Sequence, residues 1–229
     1  MRAILLAAGL GTRLRPLTDT VPKCLIPVGD EVLLDTWLRR LSQLGIDRVL
    51  VNLHYLADVV RRHVASSAWS DLVELVEEPV LLGTAGTLVA NASFLRGDDG
   101  FLVHADNWCT ASLDALVNAH RGRPSECTMT MMTFETTNPE ECGIVITDDR
   151  GVMVGFDEKP ANPSGTTANA AIYIVTPDLY EPLVAVSDFS TEVVARSVGK
   201  VFTWPADGDV VDIGSLERYS SLQASKGWR

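Results

Sequence analysis

Hydrophobic and polar positions alternate in two rhythms along the first half of the chain. Short apolar runs rich in β-formers fall at residues 3–6, 48–53, 72–76 and 101–104, and each reads as a strand. Between and after them apolar residues recur at helical spacing. This predicts helices over 32–44, 56–64, 84–94 and 113–120, the first stopped by Gly45. Strand and helix in turn at this spacing mark βαβ units. The pattern therefore predicts an α/β fold built on a doubly wound, mostly parallel central sheet.

After Arg123 the rhythm changes. Strand-like runs at 127–134, 144–147, 152–156 and 170–175 are separated by turns such as Asp148-Asp149-Arg150-Gly151. Helices are expected near 178–186 and 191–198, with Asp188-Phe189-Ser190-Thr191 as the entry to the second. A strand at 201–204, a turn at Asp207-Gly208, the run Val210-Val211-Asp212 and a helix over 216–224 complete the pattern. No repeat, linker or low-complexity segment interrupts it. The expectation is a single domain over 1–229, with a β-rich portion closing over the sheet.

Composition narrows the function classes. The chain is 46% hydrophobic and 21% charged, which suits a well-buried core rather than disorder. Its net charge of -11 argues against nucleic acid or an anionic membrane as a partner. Phosphate ligands remain open, because Arg2, Arg13, Arg15 and Lys23 cluster where acids are few. Cys24, Cys109, Cys127 and Cys142 are widely spaced with no C-x-x-C pair, so a zinc site and a disulfide framework are not expected. His54, His63, His104 and His120 show no ligand spacing, and Met129, Met131 and Met132 lie in a strand pattern that reads as core. The opening apolar run is too short for a signal peptide and no stretch is long enough to span a bilayer, so a cytoplasmic protein is expected.

The first strand leads into Leu6-Ala7-Ala8-Gly9-Leu10-Gly11-Thr12-Arg13-Leu14-Arg15-Pro16. Two glycines let this backbone turn tightly and bring N–H groups toward an anion. A dinucleotide fingerprint needs Gly where Leu14 stands, and a Walker A loop needs Gly-Lys-Ser/Thr, which is missing. What remains is a Gly-rich turn carrying arginines, followed by Pro22-Lys23. Arginine offers a planar fork to phosphate oxygens and lysine a mobile point charge. The loop alone leaves phosphate binding and a purely structural turn both open.

Its continuation is more specific. Gly9-Leu10-Gly11-Thr12-Arg13-Leu14-Arg15-Pro16-Leu17-Thr18, then Pro22-Lys23-Cys24-Leu25-Ile26-Pro27-Val28, resembles the signature of sugar-1-phosphate nucleotidyltransferases. Further matching motifs are Gly83-Thr84-Ala85-Gly86-Thr87-Leu88, His104-Ala105-Asp106-Asn107, Cys142-Gly143-Ile144-Val145, Glu158-Lys159-Pro160, Asn169-Ala170-Ala171-Ile172-Tyr173 and Val211-Asp212-Ile213-Gly214. They keep the family's order across essentially the whole chain. The chain looks closest to short guanylyltransferases acting on mannose 1-phosphate or heptose 1-phosphate. Short uridylyltransferases acting on amino-sugar phosphates are close behind.

The resemblance implies a Rossmann-like, GT-A-like nucleotidyltransferase fold. Residues 1–123 would mainly bind nucleotide and 124–229 the sugar, with no C-terminal β-helix. It implies two partners, a nucleoside triphosphate, GTP favoured, and a sugar 1-phosphate, and leaves a homo-oligomer open. Arg13 and Lys23 are the implied catalytic residues. Nucleotide contacts fall to Leu6, Ala7, Ala8, Gly9, Gly11, Thr12, Arg13, Gly83, Thr84 and Gly86. Glu78, which precedes the second loop, suits guanine, whose N1–H and N2–H₂ are adjacent donors for a carboxylate. An acidic surface residue is the competing reading. Lys23, Gly143, Glu158, Lys159 and Asn169 are the implied sugar-phosphate contacts. Asp106 and Asp212 each follow a strand and read, in isolation, as ordinary strand-end acids; both match the family's magnesium ligands. Two departures stand out: Ala171 where many members have Gly, and Ala105 where Gly usually precedes the metal aspartate.

Two rival readings follow from the same residues. A non-catalytic nucleotide-sugar sensor is expected to have lost the arginine, lysine or metal aspartates, and all are present. A nicotinamide-dependent dehydrogenase is disfavoured by Leu14.

Overall fold

A computed structural model describes residues 1–228 of the chain. In chain order its strands and helices are β1 (Arg2–Leu6), β2 (Pro27–Val28), β3 (Glu31–Val32), α1 (Leu33–Gln43), β4 (Val49–Leu53), α2 (Ala57–Ser66), β5 (Val73–Glu77), α3 (Gly83–Ala90), β6 (Gly100–His104) and β7 (Asn107–Cys109). There follow α4 (Leu113–Arg121), β8 (Met129–Glu135), β9 (Gly143–Thr147), β10 (Met153–Glu158), β11 (Thr167–Val175), α5 (Pro177–Tyr180), β12 (Val201–Pro205), β13 (Val210–Asp212) and α6 (Leu216–Lys226). The chain divides into two compact units. One comprises Arg2–Leu81, Val103–Thr110 and the segment from Asp209; the other comprises Met1, Leu82–Leu102 and Ala111–Gly208.

The first unit carries the predicted parallel sheet. Strand β1 pairs with β4, and β4 with β5, both parallel. All five residues of β4 are buried, as expected where helices cover both faces of a parallel strand. Helix α1 buries Leu33, Leu34, Trp37, Leu38 and Leu41 on one face, the spacing that the sequence displays. The Trp37 indole N–H donates to the Asn107 carbonyl at 2.7 Å, satisfying the one polar atom of a side chain that is otherwise core.

The second unit is dominated by antiparallel pairing of β9 with β10 and of β11 with β8, with β12 running parallel to β8. Met129, Met131 and Met132 are buried in β8, as the strand pattern suggests. The α/β class with a parallel nucleus and a β-rich second portion is therefore borne out.

Several expected helices differ. The expected helix over 178–186 is confined to Pro177–Tyr180, because Pro182 has no N–H to continue the ladder. The helix expected over 191–198 is a short π-helical turn at Phe189–Val194, still capped by Asp188, whose side chain accepts from the Thr191 N–H at 2.8 Å. Helix α3 stops at Ala90, with a 3₁₀ turn over Ala92–Leu95. Strands β2, β3 and β7, of two, two and three residues, are too short for a periodicity to register. No helix among the described residues is long and apolar enough to cross a membrane.

The register of β11 against β8 shifts between Asn169 and Tyr173, and within that bulge Ala171 has φ 51°. A methyl-bearing residue in the left-handed region costs about 1–2 kcal/mol, which explains why glycine is the easier choice there. Replacing it trades that strain against the larger entropy loss of glycine. Ala171→Gly is expected to stabilise the protein by about 0.5–1 kcal/mol, a rise of a few degrees in the melting temperature. An unchanged or lower transition in calorimetry would show that the bulge is unstrained.

Candidate active site

In the first unit, β1 ends in a loop held from three sides. Gly11 has φ 64°, and a Cβ there would come within 2.9 Å of the Thr18 methyl, so this turn requires glycine. The buried Thr18 hydroxyl donates to the Gly11 carbonyl at 2.7 Å. Leu14, fully buried, plugs the 3₁₀ turn Thr12–Leu14 into the core. The residue that rules out a dinucleotide fingerprint is thus the anchor of this loop. Gly9, Leu10, Thr12 and Arg13 are left exposed along its outer edge.

Behind the loop runs a buried polar chain. The Ala7 N–H donates to Asn52 Oδ1 at 2.7 Å, and Asn52 Nδ2 donates to Glu78 Oε1 at 2.9 Å. Asn52 and Glu78 are each only 3% exposed, which excludes the surface reading of Glu78. Its carboxylate is joined to the loop through one side-chain amide. Asn52 escaped the sequence reading, although a single asparagine inside the apolar strand Val49–Leu53 was the available signal.

Asp106 and Asp212 come together here. Strand β13 pairs antiparallel with β7, placing Asp212 opposite Asn107. The Ile213 N–H donates to the Asp106 carbonyl at 3.1 Å, and the Ala105 N–H to that of Leu6 at 3.1 Å. Lys23 Nζ lies 2.6 Å from Asp106 Oδ2 and 3.9 Å from Asp212 Oδ1, its side chain largely covered. Arg218 Nη1 donates to Asp212 Oδ2 at 3.0 Å, a partner that no sequence motif announces.

These charges oppose one another in a definite way. Desolvation disfavours an ionised Asp106, yet the Lys23 ammonium and His104 outweigh it and hold its pKa below the ordinary aspartate value. Asp212 moves the other way. Desolvation and the adjacent Asp106 charge raise its pKa against the pull of Lys23, Arg218 and Arg13. Among the described residues no group of three His, Cys, Asp or Glu side chains could hold a metal ion. The donor set is therefore two hard carboxylates, which fits a dication that completes its shell with water and phosphate oxygens.

The second unit gathers the remaining predicted residues. Gly83 opens α3 at φ 79°, and a Cβ there would collide with the Ser187 carbonyl oxygen. That carbonyl accepts from the Ala85 N–H at 2.9 Å and the Gly86 N–H at 3.4 Å, while Thr84 Oγ1 accepts from the Phe189 N–H at 2.7 Å. Gly143 lies opposite Glu158 in the β9–β10 ladder, and a Cβ on it would reach within 2.8 Å of Glu158 Oε2. The same oxygen accepts from the Ser190 hydroxyl at 2.6 Å. Lys159 is exposed, its ammonium 3.5 Å from Glu158 Oε1. Asn169 Nδ2 donates to the buried Tyr173 hydroxyl at 2.6 Å, and burial pushes that phenol above its ordinary pKa. In the sequence Ser190 reads only as part of a helix entry, and Tyr173 only as the last residue of the motif that begins at Asn169.

A profile described as nucleotidyl transferase matches residues 2–219. This chain belongs to that family. Within it, the chain is 31% identical over 225 residues to a protein of Sulfolobus acidocaldarius provisionally named a mannose-1-phosphate guanyltransferase, covering 96% of this chain and 61% of that one. It is 32% identical over 246 residues to the UTP--glucose-1-phosphate uridylyltransferase of Synechocystis, covering 99% of this chain and 63% of that one. The family member described here thus spans about three-fifths of the length of these curated relatives. Among solved structures, HddC from Yersinia pseudotuberculosis complexed with GMP-PN superimposes with a TM-score of 0.80 at 19% identity, over 98% of this chain and 99% of that one. That likeness is one of fold.

The Ala7–Asn52–Glu78 chain can be tested without any ligand. Asn52→Ala removes a buried donor from Glu78 and a buried acceptor from Ala7. It is expected to cost about 2 kcal/mol or more. Urea denaturation reads this directly, and a midpoint equal to wild type would refute the bonding described.

Proposed function

We propose that this family member transfers a nucleotidyl group from a nucleoside triphosphate to a sugar 1-phosphate, with GTP and mannose 1-phosphate or a manno-heptose 1-phosphate as favoured substrates. The observation that carries the reading is the Lys23 ammonium set between Asp106 and Asp212. One ammonium between two carboxylates leaves net negative charge, so this group would take phosphates together with a dication. In this reading residues 1–123 mainly serve the nucleotide and 124–229 the sugar, within one functional domain.

An oxygen of the sugar phosphate attacks the α-phosphorus. The new P–O bond forms as the bond to the bridging oxygen breaks, and pyrophosphate leaves in line with that electron pair. The attacking phosphate is largely a dianion near neutral pH, since its second pKa is about 6, so no general base is required. Catalysis reduces to positioning and charge stabilisation. Arg13, exposed on the loop edge, takes the β- and γ-phosphates and the charge of the departing pyrophosphate. Lys23 neutralises the reacting phosphates. Leu6, Ala7, Ala8, Gly9, Gly11 and Thr12 are assigned to the nucleotide, as are Gly83, Thr84 and Gly86. Asp106 and Asp212 would hold magnesium, which when bound supplies charge neutralisation to the phosphate oxygens.

For the sugar, the Glu158 carboxylate accepts hydroxyl hydrogens, Lys159 meets the phosphate, and Gly143 and Asn169 line the pocket. The nearness of Gly143 to Glu158 Oε2 supports this, since any larger residue would crowd the carboxylate. Preference for GTP is supported by the buried, hydrogen-bonded Glu78 carboxylate, a suitable acceptor for adjacent guanine donors. A UTP-dependent enzyme is the second reading, favoured by the 32% identity to a uridylyltransferase.

Arg13→Ala and Lys23→Ala are each expected to lower turnover by about two to three decades, the usual loss when one charge at a developing phosphate charge is removed. Asp106→Asn, Asp212→Asn or chelation by EDTA should do the same while circular dichroism stays unchanged. Wild-type rates in the Arg13 or Lys23 variant would defeat the role assigned to that residue. Specificity is settled by pyrophosphate release with GTP, UTP, CTP, dTTP and ATP crossed against mannose, heptose, glucose and N-acetylated sugar 1-phosphates. GTP with a manno-configured sugar should rank first, and Glu78→Gln should narrow its lead over UTP. Equal rates with all five nucleotides would remove Glu78 from base selection.

A further inference from the structure

The short segment 187–192 touches the opening of α3 at one end and the Glu158 carboxylate at the other. Three contacts bind it to the opening of α3: the Ser187 carbonyl accepts from Ala85 and Gly86 N–H, and the Phe189 N–H donates to Thr84 Oγ1. The next residue, Ser190, donates to Glu158 Oε2 at 2.6 Å. A second link runs through the Tyr173 ring, whose centroid lies 4.9 Å from that of Phe189 and whose hydroxyl accepts from Asn169. Two of the polar side chains proposed for the sugar thus connect to this segment, Glu158 through Ser190 and Asn169 through Tyr173.

The segment is also stiff. Glu192 Oε1 accepts from the Ser187 N–H at 3.2 Å, the Ser187 hydroxyl at 2.8 Å and the Asp188 N–H at 3.0 Å. Asp188 Oδ1 accepts from both the N–H and the hydroxyl of Thr191, each at 2.8 Å. Five bonds within six residues leave little freedom to absorb a displacement locally. A shift of Glu158 is carried over three residues to the carbonyl that caps α3. Gly83 allows no slack at the far end, since even a methyl group there would strike Ser187.

We infer that Ser190 is a positioning residue that couples the two substrates: occupancy of the sugar pocket fixes Glu158, and the segment 187–192 then fixes the Thr84 hydroxyl and the start of α3 at Gly83–Gly86 that meet the nucleotide. This rests on the substrate reading above. Coupling is reciprocal, so each ligand tightens binding of the other by the same factor.

The test is equilibrium titration of the full chain with α,β-methylene GTP, which cannot release pyrophosphate, in magnesium buffer with and without saturating mannose 1-phosphate. In the wild type, mannose 1-phosphate is expected to tighten the analogue by about fivefold or more, the lower end of ordinary coupling. Ser190→Ala should reduce that factor to less than about twofold while both ligands still bind separately, because each pocket keeps its own contacts. Ser190→Thr, which retains the hydroxyl, should restore it. A merely structural serine would weaken both affinities and leave the factor intact. Full coupling in Ser190→Ala, or none in a wild type that binds both probes, overturns the inference alone. A wild type that binds neither probe fails the substrate reading, and the inference falls with it.

Discussion

Two neighbouring, partly covered carboxylates repel one another unless something cancels their charge, and here the cancelling charge is Lys23. Its ammonium is 2.6 Å from Asp106 and 3.9 Å from Asp212, close enough to bond one and to screen the other. The asymmetry is the informative part. The carboxylate nearer the ammonium is held below its ordinary pKa, and the farther one is pushed up by desolvation and by its neighbour's charge. Arg218, 3.0 Å from Asp212, offsets part of that push. A group poised in this way gains by accepting more positive charge, which suits a site where a dication and a polyphosphate arrive together.

Bringing those three side chains together is what much of the first unit is shaped to do. Lys23 and Asp106 lie 83 positions apart in the chain, and Asp212 comes from near its end. The pairing of β7 with β13 fixes the two aspartates, and the bonds between Thr110 and Asp209 continue that ladder. Lys23 is delivered by a 3₁₀ turn, Lys23–Leu25, whose Cys24 and Leu25 are buried. The lysine is therefore held from beneath by core packing rather than by its charge partners alone.

How much of this was legible in the sequence depended on whether the signal was local. Strands β1, β4, β5 and β6 and helices α1, α2 and α4 announce themselves by period, since their own side chains set the pattern. The expected helix over 178–186 failed because its apolar spacing was read without weighing the missing N–H of Pro182. Strands β7 and β13 have three residues each, and only their pairing gives them meaning. The Gly-rich loop was visible as a motif, yet the reason for Leu14 was not, because burial of an anchor looks like any other leucine. Residues acting through distant partners were illegible. Asn52 meets Ala7 across 45 positions and Glu78 across 26, and Ser190 meets Glu158 across 32.

Selectivity in such a site rests on few groups. The main-chain amides of a phosphate loop recognise any nucleoside triphosphate, because every triphosphate presents the same oxygens. Discrimination among bases must come from a side chain whose orientation is fixed in advance, since a mobile acceptor adapts to whatever donor appears. Glu78 meets that condition better than an exposed acid: it is 3% exposed and bonded to Asn52, which is bonded to the loop itself. The residues proposed for the sugar follow the same logic, with Glu158 bonded to Ser190 and Asn169 to Tyr173. For Glu78 and Glu158 the residue proposed to read the substrate is held by a polar neighbour, Asn52 or Ser190, that lies outside the matching motifs. Relatives can therefore keep every signature residue and still differ in substrate, because the supporting neighbours are free to change. Overall identity does not separate the two activities here, since the guanylyl- and uridylyltransferase relatives are 31% and 32% identical to this chain.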